Sequence, residues 1–303
     1  MSITVITPHY NMTGWLSRCI GSVQDCIQDI DEHILVDDSS TQAEFDRLLE
    51  IVADAERCTI LRNPKNLGVL KTLEVGFLRA KSSHVIFLAA DDWLISKNIR
   101  LLNEFTEQYP SVGIIIGDLI VARQKSDNEE DFTQRLVTMG PKNHSATPVK
   151  SPRLFLSSSI KPRMHGQACI SKDSLLRRQF YDSKLRWNSE LYMHQVIAIE
   201  DGIISVRIPF TAFRKRRGSF GEAAFTNRLR QIATLTRLLA ELKRQDNNSI
   251  RDVYIGSGQL WIQPHSLAAL LRLREYEFIT AKYLFLKTII FLFRRFKRFS
   301  KIT

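Results

Sequence analysis

Short runs of apolar and β-branched residues recur through the first third of the chain: Ile3 to Thr7, His33 to Val36, Thr59 to Leu61 and His84 to Leu88. Stretches of helical length lie between them, near Trp15 to Ile27, Ala43 to Ala53 and Val69 to Ala80. Strands separated by helix-length segments return beside one another in parallel. The pattern therefore predicts βαβ units and an α/β fold, a Rossmann-like, mostly parallel central sheet flanked by helices. Val112 to Ile116 adds a fifth strand.

The second half reads differently. From Arg123 to Ser151 the chain is polar and rich in Asp, Glu, Asn, Lys and Pro, which predicts a long surface excursion, either a lid or a solvated loop. His165 to Ser171 is expected as a strand, Glu190 to Glu200 as a helix, and Ile203 to Phe213 as a strand pair interrupted by Pro209. Phe220 to Arg244 and Pro264 to Lys301 read as helices, with Asn247 and Asn248 as the break. The expected division is one α/β domain over residues 1–220 and a helical extension over 221–303.

Composition changes this picture little: with 44% hydrophobic and 25% charged residues the chain is an ordinary globular protein, neither disordered nor fibrous. Charge changes it more. The net charge is +11, and from Arg272 onward nine Lys or Arg residues face only Glu275 and Glu277. A basic tail, rather than a basic face spread over the fold, argues against a nucleic-acid partner. Phe278 to Lys301 mixes aromatic and aliphatic residues with cations, and its uninterrupted apolar run falls short of the about 20 residues that cross a bilayer. It reads either as an interfacial helix on an anionic membrane surface or as a helix packed on the domain. Cys19, Cys26, Cys58 and Cys169 show no metal-binding spacing and are expected as buried thiols in a reducing compartment. The first residues enter a strand at once, without the basic and apolar regions of a signal peptide, so the expected location is cytoplasmic.

In open α/β sheets ligands lie beyond the carboxyl ends of the strands. The residues there are polar and acidic: Pro8-His9-Tyr10-Asn11, Asp37-Asp38-Ser39-Ser40, Asn63 to Gly68, and Asp91-Asp92. Two carboxylates following an apolar strand are hard oxygen ligands for Mg²⁺ or Mn²⁺, with diphosphate oxygens completing the shell, although such a pair can also cap the following helix. Asp37 or Asp38 could accept a hydrogen bond from a nucleobase imide or a ribose hydroxyl, or serve only as turn residues.

Taken together, Ile3-Thr4-Val5-Ile6-Thr7-Pro8-His9-Tyr10-Asn11, Ile34-Leu35-Val36-Asp37-Asp38-Ser39-Ser40-Thr41, Asn63-Pro64-Lys65-Asn66-Leu67-Gly68 and Val85 to Trp93 resemble, in order and spacing, the successive signatures of family 2 glycosyltransferases. The resemblance is strong over about the first 120 residues and weaker to about residue 220. It implies a GT-A fold, with residues 1–120 as a nucleotide-sugar-binding half and 121–220 as an acceptor half, and inverting transfer from a nucleotide-diphosphate sugar, UDP foremost. By position, Thr7, Pro8, Tyr10 and Asn66 would belong to the nucleotide site. Asp38 would contact the base and Asp37 the ribose side, while Asp91 and Asp92 would fill the metal motif. One departure is Ala89, where many members carry the first acid of that motif.

The resemblance places the general base in Leu185 to Tyr192, where the family commonly has Asp and this chain offers Glu190. The alternative for Glu190 is a carboxylate favoured by the helix dipole. His165 would touch a donor phosphate or the acceptor, or be structural. Arg214 and Arg217, after the last apolar strand, would clamp the diphosphate from a mobile loop, or form a solvated run. The expected activity is transfer to a glycan or lipid-linked acceptor in surface polysaccharide biosynthesis, on the cytoplasmic membrane face. The alternative is a catalytically weakened nucleotide-sugar-binding or scaffold protein of a glycan assembly complex.

Overall fold

The computed structural model describes residues 3–124, 132–137, 145–158, 168–186, 188–215, 228–262 and 266–289. Strands β1 (Ile3–His9), β2 (Glu32–Asp37), β3 (Cys58–Arg62), β4 (His84–Phe87) and β5 (Trp93–Leu94) come from the first third of the chain. They are joined by β6 (Ile114–Gln124), β7 (Phe132–Val137), β8 (Ser145–Pro148), β9 (Ala168–Ser171) and β10 (Ile203–Lys215). All belong to one sheet of order β3-β2-β1-β4-β9-β6-β10-β5, with β7 beside β6 and β8 beside β10. The β3-β2-β1-β4 portion is parallel, as expected, and β6 and β10 are parallel to each other. Between these two portions β9 runs antiparallel to both neighbours. The carboxyl ends of β1, β2, β3, β4, β6 and β10 therefore open on the same edge.

Alternation along β1 sends side chains to two different cores. Ile3 and Val5 join Leu16, Cys19 and Val23 of α1 (Thr13–Gln24), whereas Ile6 joins Leu73 and Phe77 of α3 (Val69–Arg79). Helices α2 (Gln42–Ile51) and α4 (Ile99–Gln108) complete the first layer. On the other face lie α5 (Pro152–Ser158), α6 (Lys172–Arg177) and α7 (Asn188–Glu200). Thr41 caps α2 by accepting the Glu44 N–H, and Glu44 in turn accepts the N–H and hydroxyl of Thr13, which ties the starts of α1 and α2 together.

Helix α7 has no polar face, because it is shared between two cores. Met193, Ile197 and Ala198 pack under the sheet, while Tyr192 enters a third core with α8 (Arg228–Leu242), α9 (Asn248–Ser257), α10 (Ser266–Arg272) and α11 (residues 281–289). In α8 the residues that reach this core, Leu235, Leu238, Leu239 and Leu242, follow the helical repeat. Two buried amides, Gln195 of α7 and Gln259, bond each other reciprocally at 2.9 and 3.0 Å and fasten the helical extension to α7.

Several expectations are corrected. The sixth strand begins at Ile114 and continues to Gln124, into the stretch read as a surface excursion, because β7 and β10 pair with its far end. Ile203 to Lys215 forms one strand rather than a pair: register shifts around Pro209 absorb the residue that lacks an N–H. At that irregularity β10 crosses close over Gly117, where an added Cβ would lie 2.3 Å from the Ile208 carbonyl oxygen. The expected helix from Pro264 is broken within the described residues: α10 ends at Arg272, Arg274 takes a left-handed φ of 59°, and a short turn at Tyr276–Phe278 lets Phe278 bury before α11 begins. The break near Asn247 and Asn248 is followed by a further helix, α9. The four cysteines are free thiols, Cys19, Cys26 and Cys169 buried and Cys58 half-buried.

Two buried histidines, on β2 and β4, resist protonation. Burial pushes His33 and His84 down to about 4, and among the described residues His33 Nδ1 and His84 Nε2 have no hydrogen-bond partner. Since an unfolded chain binds these protons near pH 6.5, acidification from about pH 6.5 to about pH 4 favours the unfolded state. Urea midpoints of the wild type are expected to fall across that window, and those of His33→Gln to fall less steeply; parallel curves would contradict the assignment.

Candidate active site

At the ends of β1, β2 and β3 the acidic motif holds the backbone in place. Asp37 is fully buried; its Oδ1 lies 3.1 Å from His9 Nδ1, and its Oδ2 accepts the Ser40 N–H at 3.2 Å and lies 3.3 Å from Arg62 Nε. The Met12 N–H points at His9 Nε2, so Nδ1 carries the proton that His9 donates to Asp37. Asp38 accepts the Asn63 side-chain amide and the backbone N–H groups of Leu67 and Gly68, each at 2.8 Å. It thereby caps the entry to α3, where Gly68 holds a φ of 81°. Thr7 is buried as well, with its hydroxyl 2.9 Å from His33 Nε2.

The residues expected around a nucleotide thus divide into two kinds. Thr7, Asp37 and Asp38 are buried and hydrogen-bonded within the chain. Pro8 is half-buried, and Tyr10 and Asn66 are exposed. His9 and Arg62, which close the Asp37 site, were not singled out in the sequence; a polar residue ending an otherwise buried β1 was the available signal.

Beyond β4, the Leu88 N–H still pairs with the Ile6 carbonyl, and the Asp92 N–H turns back onto the Ala89 carbonyl. This turn carries Asp91, half-buried, and Asp92, which is 8% exposed. Asp92 Oδ1 accepts the Arg214 backbone N–H at 2.8 Å, and Arg214 Nε donates to the Asp91 carbonyl at 3.1 Å. The Arg214 guanidinium lies 4.6 Å from the ring centre of Trp15 and 5.3 Å from that of Trp93, with Arg18 4.2 Å from the same Trp93 ring. Arg214 is 1% exposed. This corrects its expected place on a mobile loop: β10 stays paired with β6 through Lys215, so Arg214 is strand and fastens the acidic turn from beneath. Arg217 and His165 lie outside the described residues.

Burial pushes the Asp92 carboxyl well above the usual carboxylate range, and the Asp91 and Glu190 charges push it further, while the Arg214 amide and charge oppose the shift. Glu190 belongs to the first turn of α7, and its charge reaches Asp92. Among the described residues no group of three or more His, Cys, Asp or Glu is arranged to hold a metal ion by itself. Asp91 and Asp92 fit part of a hard-cation shell, since a desolvated carboxylate facing two others is stabilised in its ionised form by an added divalent charge.

Replacing Arg214 by Lys keeps the charge but removes the Nε donor and the flat group between the two indoles. Arg214→Lys is expected to lower stability by about 1–3 kcal/mol in urea unfolding; an unchanged midpoint would show that the fastening contributes nothing.

The family model described as Glycosyl transferase family 2 matches residues 4–217. Among curated proteins the chain is 22% identical over 223 residues to glycosyltransferase GlyA of Streptococcus pneumoniae serotype 4, a match covering 72% of this chain but only 31% of that relative's length. Among solved structures it is similar to S. aureus TarS in complex with UDP-GlcNAc, with a TM-score of 0.66 at 13% identity, over 88% of this chain and 74% of the other. It is also similar to the mannosyltransferase PcManGT from Pyrobaculum calidifontis in complex with GDP-Man and Mn²⁺, with a TM-score of 0.52 at 17% identity, over 89% and 74%. At such identities these likenesses establish the fold, which is GT-A. With the signature strand ends gathered on one edge of that sheet and the family match spanning most of the chain, the protein belongs to glycosyl transferase family 2.

Proposed function

We propose that this glycosyltransferase moves a sugar with inversion from a nucleotide-diphosphate donor to a hydroxyl of a glycan or lipid-linked acceptor in surface polysaccharide biosynthesis. The observation that carries this reading is the gathering of the family's signature strand ends, with Asp91 and Asp92 just beyond β4, on the carboxyl edge of one sheet. Inversion needs a base on the acceptor side and charge stabilisation on the leaving-group side, roles this reading gives to Glu190 and to Asp91 with Asp92. UDP is the proposed nucleotide, supported by the UDP-GlcNAc complex of TarS.

In this reading Tyr10 and Pro8 supply the surface against which the base lies, and the Asn63 to Gly68 loop, held by Asp38, flanks it with Asn66. Asp91 and Asp92 would hold Mn²⁺ or Mg²⁺, in keeping with the Mn²⁺ complex of PcManGT; the bound ion would neutralise charge on the departing diphosphate. Glu190 removes the proton of the attacking hydroxyl. Arg214 keeps the acidic turn in place and touches no substrate.

A screen of UDP, GDP and dTDP sugars by thermal shift, with and without manganese, identifies the donor, since a bound ligand raises apparent stability. With that donor, Asp92→Ala and Glu190→Gln are expected to lower turnover by about 100-fold or more. Glu190→Gln should keep donor affinity, and full activity in both variants would refute the assigned roles.

The reading includes a peripheral position on the cytoplasmic membrane face. Among the described residues no helix is long and apolar enough to cross a membrane. Helix α11 packs on the extension through Tyr283 and Leu286 and leaves Leu284, Phe285 and Ile289 exposed, next to the half-buried Lys287. Co-sedimentation with anionic phospholipid vesicles is expected for the wild type, weakened by salt and by Phe285→Glu; equal binding by that variant would remove α11 from the contact.

A further inference from the structure

Glu190 stands in the first turn of α7, and His194 follows one turn later, so both project from one side of the helix. His194 is 1% exposed, and its Nε2 lies 2.7 Å from the Tyr181 hydroxyl, also buried. The Tyr181 ring meets Phe87 edge-on, with ring centres 5.7 Å apart, and packs against Phe180 at 4.6 Å. Phe87 is the last residue of β4, the strand that leads into Asp91 and Asp92. A continuous series of buried contacts therefore runs from the strand bearing the acidic turn, through Tyr181 and His194, to the helix bearing Glu190.

Burial keeps the Tyr181 hydroxyl protonated, and the Glu190 charge pushes it in the same direction, which puts Glu190 within electrostatic reach of the pair. A neutral imidazole that accepts a proton at one nitrogen carries its own on the other. Long helical side chains lean toward the preceding turn, which from His194 is the turn of Glu190.

We propose that Tyr181 and His194 are the positioning residues of Glu190: Tyr181 donates its O–H to His194 Nε2, and His194 Nδ1–H holds the Glu190 carboxylate toward Asp92. Glutamate has one more rotatable bond than the aspartate common at this point of the family, so its carboxylate has more orientations to lose. A directional donor from a buried, tautomer-fixed imidazole removes that freedom before the acceptor arrives. The inference rests on the reading of Glu190 as base.

The test is long-range ¹H–¹⁵N NMR of the histidine side chains in the full chain, comparing wild type, Glu190→Gln and Tyr181→Phe, each checked for an intact thermal transition. The expected result is a neutral His194 protonated at Nδ1, whose Nδ1 resonance moves in Glu190→Gln and which loses its single tautomer in Tyr181→Phe. A wild-type His194 protonated at Nε2, or one indifferent to Glu190→Gln, overturns the proposal. In turnover, Tyr181→Phe is expected to lower kcat by about 10- to 100-fold with the donor KM unchanged; an unchanged kcat overturns it too. Full activity of Glu190→Gln would instead remove the base itself, and the inference with it. An inactive Glu190→Gln with an indifferent His194 leaves the base standing and only the positioning refuted.

Discussion

The arrangement depends on a buried arginine that fastens a turn bearing two acids. Arg214 gives its backbone N–H to the Asp92 carboxylate and its side chain to the Asp91 carbonyl, while Trp15 and Trp93 enclose its guanidinium. A buried cation is costly unless its donors are used and its charge is faced by π-density or carboxylate. Here both conditions are met by residues from three separate elements: α1, the turn after β4, and β5. Without that fastening, two adjacent carboxylates at a strand end would have no reason to keep one orientation.

The same economy governs the other acidic motif. Asp37 and Asp38 are spent on the frame: one joins the ends of β1, β2 and β3 through His9, Ser40 and Arg62, and the other binds the loop that enters α3. A carboxylate accepting several fixed donors is rigid, and rigidity at three strand ends gives the cleft a preformed floor. The site therefore has a framework of hydrogen-bonded acids at β2 and, beyond β4, a second acidic pair fastened by Arg214.

Helix α7 links this site to the rest of the molecule. It buries residues in the core under the sheet and in the core of the extension, and Gln195 locks it to Gln259. Displacing the extension would thus strain the helix that carries Glu190. The extension therefore belongs to the mechanics of the site through α7.

What local pattern determines, the sequence by itself determined: the alternating β and helical runs, the parallel order of β1 to β4, the strand-end motifs and the family they mark. These depend on periodicity and on turn chemistry, which act over a few neighbouring residues. Only the tertiary structure decided that Asp37 and Asp38 tie the strand ends together, that Arg214 is buried strand rather than mobile loop, that β6 runs on into a polar stretch between β9 and β10, and that Tyr181 packs against Phe87 at the end of β4. Each of these is a contact between residues far apart in the chain, and burial, which sets the cost of a charge and the use of a hydrogen bond, is a property of that packing alone.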